Sequence, residues 1–112
     1  MVDLLKSLVA IVGEQNVLFG ADLEQVSISF WEPESVNCLA IITPECTEQV
    51  SEVLKVCHQQ QQVVVTAGGR TGGVQGLKTN AGDIYLSLEK MNQIDSVDEV
   101  ARTATVEAGC IL

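Results

Sequence analysis

The densest chemical signal in the chain is a glycine cluster. From Thr66 to Gly76 the sequence reads Thr-Ala-Gly-Gly-Arg-Thr-Gly-Gly-Val-Gln-Gly, and five of the nine glycines fall within residues 68–76. Ordering a glycine costs roughly 0.5–1 kcal/mol more backbone entropy than ordering an alanine, so such a cluster needs a compensating contact. Close approach of the backbone to a ligand supplies one, because successive N–H groups form a nest for an anion, above all a phosphate. Two familiar phosphate loops do not fit. Lys78-Thr79 follow Leu77 rather than a glycine, out of register for G-x-x-x-x-G-K-[ST], and G-x-G-x-x-G does not occur. Gly73-Val74-Gln75-Gly76 satisfies G-x-x-G, but a net charge of −9 opposes an RNA-binding role.

Other reactive side chains form no constellation. Cys38, Cys46, Cys57 and Cys110 show no C-x-x-C pair and no zinc spacing with the single histidine, His58. They read as reduced thiols, mostly small core residues. Asp83, Asp95 and Glu107 are scattered and read as solvated carboxylates, and no Ser/His/Asp or Cys/His arrangement is present. No catalytic residue and no metal ligand is expected.

The elements around the glycines suit a phosphate site. Residues 39–43 and 63–66 are short continuous apolar runs, as expected of strands buried on both faces. Between them a helix over about 48–60 carries Val50, Val53, Leu54 and Cys57 on one stripe, with Thr47 as its N-cap. The glycine cluster then leaves the C-terminal end of a strand, where α/β sheets receive ligands. A third strand is predicted at 84–87 and a β-hairpin at about 93–98 and 102–107. Upstream, Leu4, Leu5, Leu8, Val9 and Val12 predict a helix over 3–12 that stops at Gly13. Residues 14–37 read as a connecting arm with a short helix near Asp22–Val26. The expected fold is α+β: a small three-stranded parallel sheet with flanking helices, followed by a β-hairpin. Residues 1–38 form the N-terminal helix and arm, and 39–112 the main unit.

One hundred and twelve residues, 46% of them hydrophobic, suffice for one small core. Fifteen acidic against six basic residues argue against nucleic acid and acidic membrane surfaces as partners. No apolar run approaches the ~18–20 residues of a membrane span, and the first residues lack the positive flank of a targeting signal. A cytoplasmic location is the expectation. The apolar ending Gly109-Cys110-Ile111-Leu112 reads as the start of another buried element, truncated.

The segment 39–112 resembles the N-terminal half of the FAD-binding domain of the vanillyl-alcohol-oxidase-like flavoenzymes. Within that superfamily it is most similar to the D-lactate, glycolate and D-2-hydroxyglutarate dehydrogenase group. The residues that carry the resemblance are Ile41-Ile42-Thr43-Pro44, Thr47-Glu48-Gln49-Val50, Val63-Val64-Val65, Gly68-Gly69-Arg70-Thr71-Gly72, Leu86-Ser87-Leu88-Glu89-Lys90-Met91-Asn92-Gln93-Ile94 and Thr105-Val106-Glu107-Ala108-Gly109-Cys110-Ile111-Leu112, with Val12-Gly13 and Asn16-Val17-Leu18 upstream. The resemblance implies that FAD is the cofactor and that Ala67, Gly68, Gly69, Arg70, Thr71, Gly72, Gly73 and Gly76 hold its diphosphate, chiefly through backbone amides. Thr71 would add a hydroxyl. Arg70 stands where some relatives carry a histidine joined to the flavin, so FAD would be non-covalent here. The family commonly has proline before the loop, where this chain has Thr66-Ala67, and often a Gly-Gly pair where it has Gln75-Gly76. The implied activity is the FAD portion of an oxidoreductase for a small 2-hydroxy acid, catalytically incomplete in this chain, which need not retain FAD. The alternative is a fragment without flavin that self-associates through an exposed sheet edge.

Overall fold

The computed structural model describes residues 2–29, 32–35, 37–69 and 79–111. Helix α1 (Val2–Val12) buries Leu4, Leu8 and Val12, one residue per turn on a single face. It stops at Gly13, whose φ of 92° only glycine adopts readily and whose N–H donates to the Val9 carbonyl at 2.8 Å.

The arm holds more structure than its sequence pattern announces. A 3-10 turn (Glu14–Asn16) leads to β1 (Val17–Phe19), then a 3-10 segment (Gly20–Gln25) replaces the predicted short helix. Strands β2 (Ser27–Ser29) and β3 (Glu32–Ser35) pair antiparallel. Three-residue strands are too short to show an alternation, and they exist here because a partner satisfies their backbone.

The main sheet contains β4 (Ala40–Ile42), β5 (Val64–Ala67) and β6 (Ile84–Ser87), mutually parallel as predicted, with β1 added antiparallel. The order is β1–β4–β6–β5, so β6 separates the two strands that α2 (Thr47–Gln59) connects. Burial alternates with the pleat. Ala40, Ile42, Ile84 and Leu86 join Leu4, Leu8, Val53 and Cys57 in one core layer, while Ile41, Tyr85 and Ala67 pack with Leu23 and Cys38 in another. Burial of β4 on both faces agrees with its continuous apolar run, and β6 is buried in the same way. The prediction fails for β5, an edge strand of the described sheet in which only Ala67 is buried; Val63 lies before it, 58% exposed.

Two details of α2 also differ from expectation. Leu54 is 43% exposed. The buried face centres on Val53, flanked by Val56 and Val50, and the residue after Val53 turns away by ~100°. The N-cap is Cys46 rather than Thr47, and it makes no side-chain cap; Gln49 reaches back to accept the Glu45 N–H at 2.7 Å. The hairpin forms as predicted, from β7 (Ile94–Asp98) and β8 (Thr103–Val106), and is exposed along its length. The Asp98 carboxylate closes it by accepting the Val100 and Ala101 N–H groups at 3.0 Å.

The cysteines divide rather than being mostly core. Cys38 and Cys57 are buried, Cys46 and Cys110 half-buried, and all four are free. Burial, helped by the Asp83 charge and opposed by a backbone hydrogen bond from Ala40, raises the Cys38 thiol from 9.0 to about 11. Burial also raises Cys57. A raised thiol stays protonated and unreactive below its unfolded value, and its stabilising contribution is lost as pH climbs through the folded one. Alkylation at pH 8, mapped by mass spectrometry, should modify Cys46 and Cys110 at least ~10-fold faster than Cys38 and Cys57. Protection of Cys38 should fade only as pH rises from 9.0 towards about 11.

Candidate functional site

Parallel pairing delivers the C-terminal ends of β4, β5 and β6 to one edge of the sheet. Beyond β5 the chain enters Gly68-Gly69; beyond β6 it makes a tight turn through Leu88–Met91. The two exits are tied directly, because Leu88 N–H donates to the Ala67 carbonyl at 2.8 Å. Met91 N–H returns to the Leu88 carbonyl at 2.9 Å, and Gly109 N–H, arriving after the hairpin, donates to the Met91 carbonyl at 2.9 Å. A cleft of about 470 Å³ opens among these segments, lined by Gly68, Gly69, Glu89, Asn92, Ile94, Gly109, Cys110 and Ile111. A smaller cavity of about 90 Å³ shares Glu89 and is lined also by Ile41, Thr43, Tyr85 and Ser87.

The cleft walls are backbone where glycine makes them so. A Cβ on Gly109 would lie 1.7 Å from the Leu88 carbonyl oxygen and 2.8 Å from that of Met91, inside any possible contact. On Gly68 it would come 3.0 Å from the Ala108 carbonyl, and on Gly69 2.9 Å from Ile111 Cγ1. The first two glycines of the cluster therefore have a packing reason beside the ligand reason: they lie against the segment that carries Gly109.

Of the predicted binding residues, Gly68 and Gly69 line the cleft and Ala67 anchors their strand. Arg70, Thr71, Gly72, Gly73 and Gly76 lie outside the described residues. Sequence reasoning assigned no site role to Glu89, Asn92, Ile94, Gly109, Cys110 or Ile111. The available signal was Ala108-Gly109 directly after an alternating strand, where a glycine marks a close backbone approach. The scattered carboxylates stay apart. Asp83 is buried rather than solvated, its Oδ2 accepting the Asn80 N–H at 2.8 Å, while Glu107 Oε1 accepts the Gln93 N–H at 3.0 Å. His58 is exposed in the last turn of α2. Among the described residues no group of three or more His, Cys, Asp or Glu side chains could hold a metal.

Gly68 and Gly69 thus stand beside a cleft at the C-terminal edge of a parallel sheet, the place where α/β sheets receive nucleotides. The model of the FAD binding domain family matches residues 38–112, and the chain belongs to that family. It is 38% identical over 89 residues to the D-2-hydroxyglutarate dehydrogenase of Xanthomonas citri pv. viticola, covering 80% of this chain and 19% of that one. With the mitochondrial D-2-hydroxyglutarate dehydrogenase of Arabidopsis thaliana it shares 33% identity over 103 residues, or 91% of this chain and 18% of the relative. The crystal structure of p-cresol methylhydroxylase superposes over 96% of this chain and 22% of its own, with a TM-score of 0.75 at 28% identity. The chain thus spans about a fifth of the length of the curated relatives it matches. FAD is the cofactor to which this domain corresponds, and Gly68, Gly69 and Gly109 all line the cleft.

The two kinds of glycine contact predict unequal costs. Gly109→Ala drives a methyl group into main-chain oxygen and should lower stability by ~3 kcal/mol or more, whereas Gly69→Ala meets Ile111 Cγ1, a side-chain atom that a χ1 change moves, and should cost ~1 kcal/mol. Urea denaturation of the two variants checks the order.

Proposed function

We propose that this chain is the diphosphate-holding portion of an FAD-linked oxidoreductase acting on a small 2-hydroxy acid of the D-2-hydroxyglutarate kind, and that it does not turn over alone. The observation that supports this most is the position of Gly68 and Gly69: they leave a parallel strand at its C-terminal end and line the cleft with bare backbone. In this reading Ala67, Gly68, Gly69, Arg70, Thr71, Gly72, Gly73 and Gly76 bind the diphosphate, and Arg70 leaves the flavin non-covalent. FAD, when bound, accepts the hydride from the carbon that carries the substrate hydroxyl. The chain's own part is to bind and orient. In this reading backbone amides take the diphosphate charge, and Glu89 and Asn92 stand in the lining of the same cleft. The groups that hold the hydroxy acid belong, in this reading, to the further length that the relatives have.

Titration with FAD under flavin fluorescence tests the reading. FAD and ADP should compete for one site, riboflavin should not displace them, and no D-2-hydroxyglutarate oxidation should accompany binding. Failure of both FAD and ADP to bind, or displacement by riboflavin, counts against it.

The hairpin favours a second reading, self-association. Ile94, Val97 and Val106 are 66%, 68% and 46% exposed on β7 and β8. Sedimentation should then show a dimer that dissociates on dilution and is lost on Val97→Lys; a monomer at all concentrations removes this reading.

A further inference from the structure

Asn16 is 2% exposed, and every one of its polar atoms is engaged. Its N–H donates to the Gly13 carbonyl at 3.1 Å, and its carbonyl accepts the Thr43 N–H at 2.9 Å, just beyond β4. Its Nδ2 donates to the Val12 carbonyl at 2.9 Å. Its Oδ1 accepts a hydrogen bond from Lys90 Nζ, across 74 residues of sequence. The buried side chain thereby joins the end of α1 to the turn after β6, while the main chain of the same residue holds the end of β4.

That turn is the mechanical base of the cleft. Its Leu88 and Met91 carbonyls receive Gly109 at distances that exclude any side chain, and Gly109, Cys110 and Ile111 form one wall. Glu89 and Asn92, which flank Lys90 and Met91, form another. The acceptor for Lys90 is a neutral carboxamide, and the ion pair found among the described residues is Lys55–Glu52. A carboxylate at position 16 would neutralise the lysine; Asn16 holds it and leaves its charge intact.

We propose that Lys90, gripped by Asn16, is a positioning residue for the cofactor cleft. It clamps the 88–91 turn to the core, so that the Gly109 wall stands at a fixed distance from Gly68 and Gly69. The inference rests on the FAD reading for its purpose, but not for its mechanics. Lys90→Met keeps the apolar stem and removes the donor; Lys90→Arg keeps a donor and the charge.

Amide hydrogen exchange in the 112-residue chain separates local from global effects. In Lys90→Met, exchange at Met91 and Gly109 should quicken at least ~10-fold while Ile41, Ile84 and Leu86 keep their rates, and Lys90→Arg should stay within ~3-fold of the parent. The affinity of Lys90→Met for FAD and ADP should fall at least ~5-fold, with recovery in Lys90→Arg. Unchanged exchange at Met91 and Gly109, equal acceleration throughout the sheet, or parental FAD affinity despite a loosened wall would each overturn the proposal. A parent chain that binds neither FAD nor ADP, with the exchange pattern as stated, sinks the FAD reading and leaves the brace intact.

Discussion

No atom larger than hydrogen fits on the Cα of Gly109. Its N–H is held by the Met91 carbonyl, and the Leu88 oxygen occupies the space a Cβ would need. This contact closes the chain on itself: the segment after an exposed hairpin returns to the turn that leaves the central strand. The carbonyl of the preceding residue, Ala108, is what Gly68 packs against. The cleft opens beside this main-chain packing, and Gly68, Gly69 and Gly109 are part of its lining.

The sheet sets the other half of the geometry. β4 and β6 are buried on both faces and paired in register, Ala40 with Ile84 and Ile42 with Leu86. Such a strand pair resists sliding, because a one-residue slip would exchange the residues of the two core layers. β5 extends the same register with Thr66 opposite Leu86 and Ala67 opposite Ser87, so the glycine turn and the 88–91 turn emerge side by side.

The buried polar groups show where the fold relies on more than apolar contact. Asn16 and Asp83 are both buried, and each satisfies backbone groups at a chain reversal, Asn16 below α1 and Asp83 ahead of β6. Burying a polar group is tolerable only when its partners are supplied. The partners of Asn16 come from three separate elements, which makes the arm part of the same core rather than a loose leader.

Much was legible in order of residues alone. The continuous apolar run at 39–43 announced a strand covered on both sides, 84–87 announced a third strand, a four-residue apolar spacing announced α1, and Gly13 marked its end. The glycine density after Thr66 drew attention to the exit of β5, because backbone entropy makes such a cluster costly without a purpose, and Gly68 and Gly69 there line the cleft. These features are local, and local pattern reports them. Tertiary structure decided the remainder. Whether Val63 is covered depends on β5 lying at an edge, and whether Leu54 is covered depends on which side of α2 meets the sheet. That β6 would insert between β4 and β5, that Val17–Phe19 would become a strand, and that Gly109 would face Leu88 while Ala108 meets Gly68 are facts about partners distant in the chain. A sequence states what each residue prefers; which neighbour satisfies that preference exists only once the chain has closed.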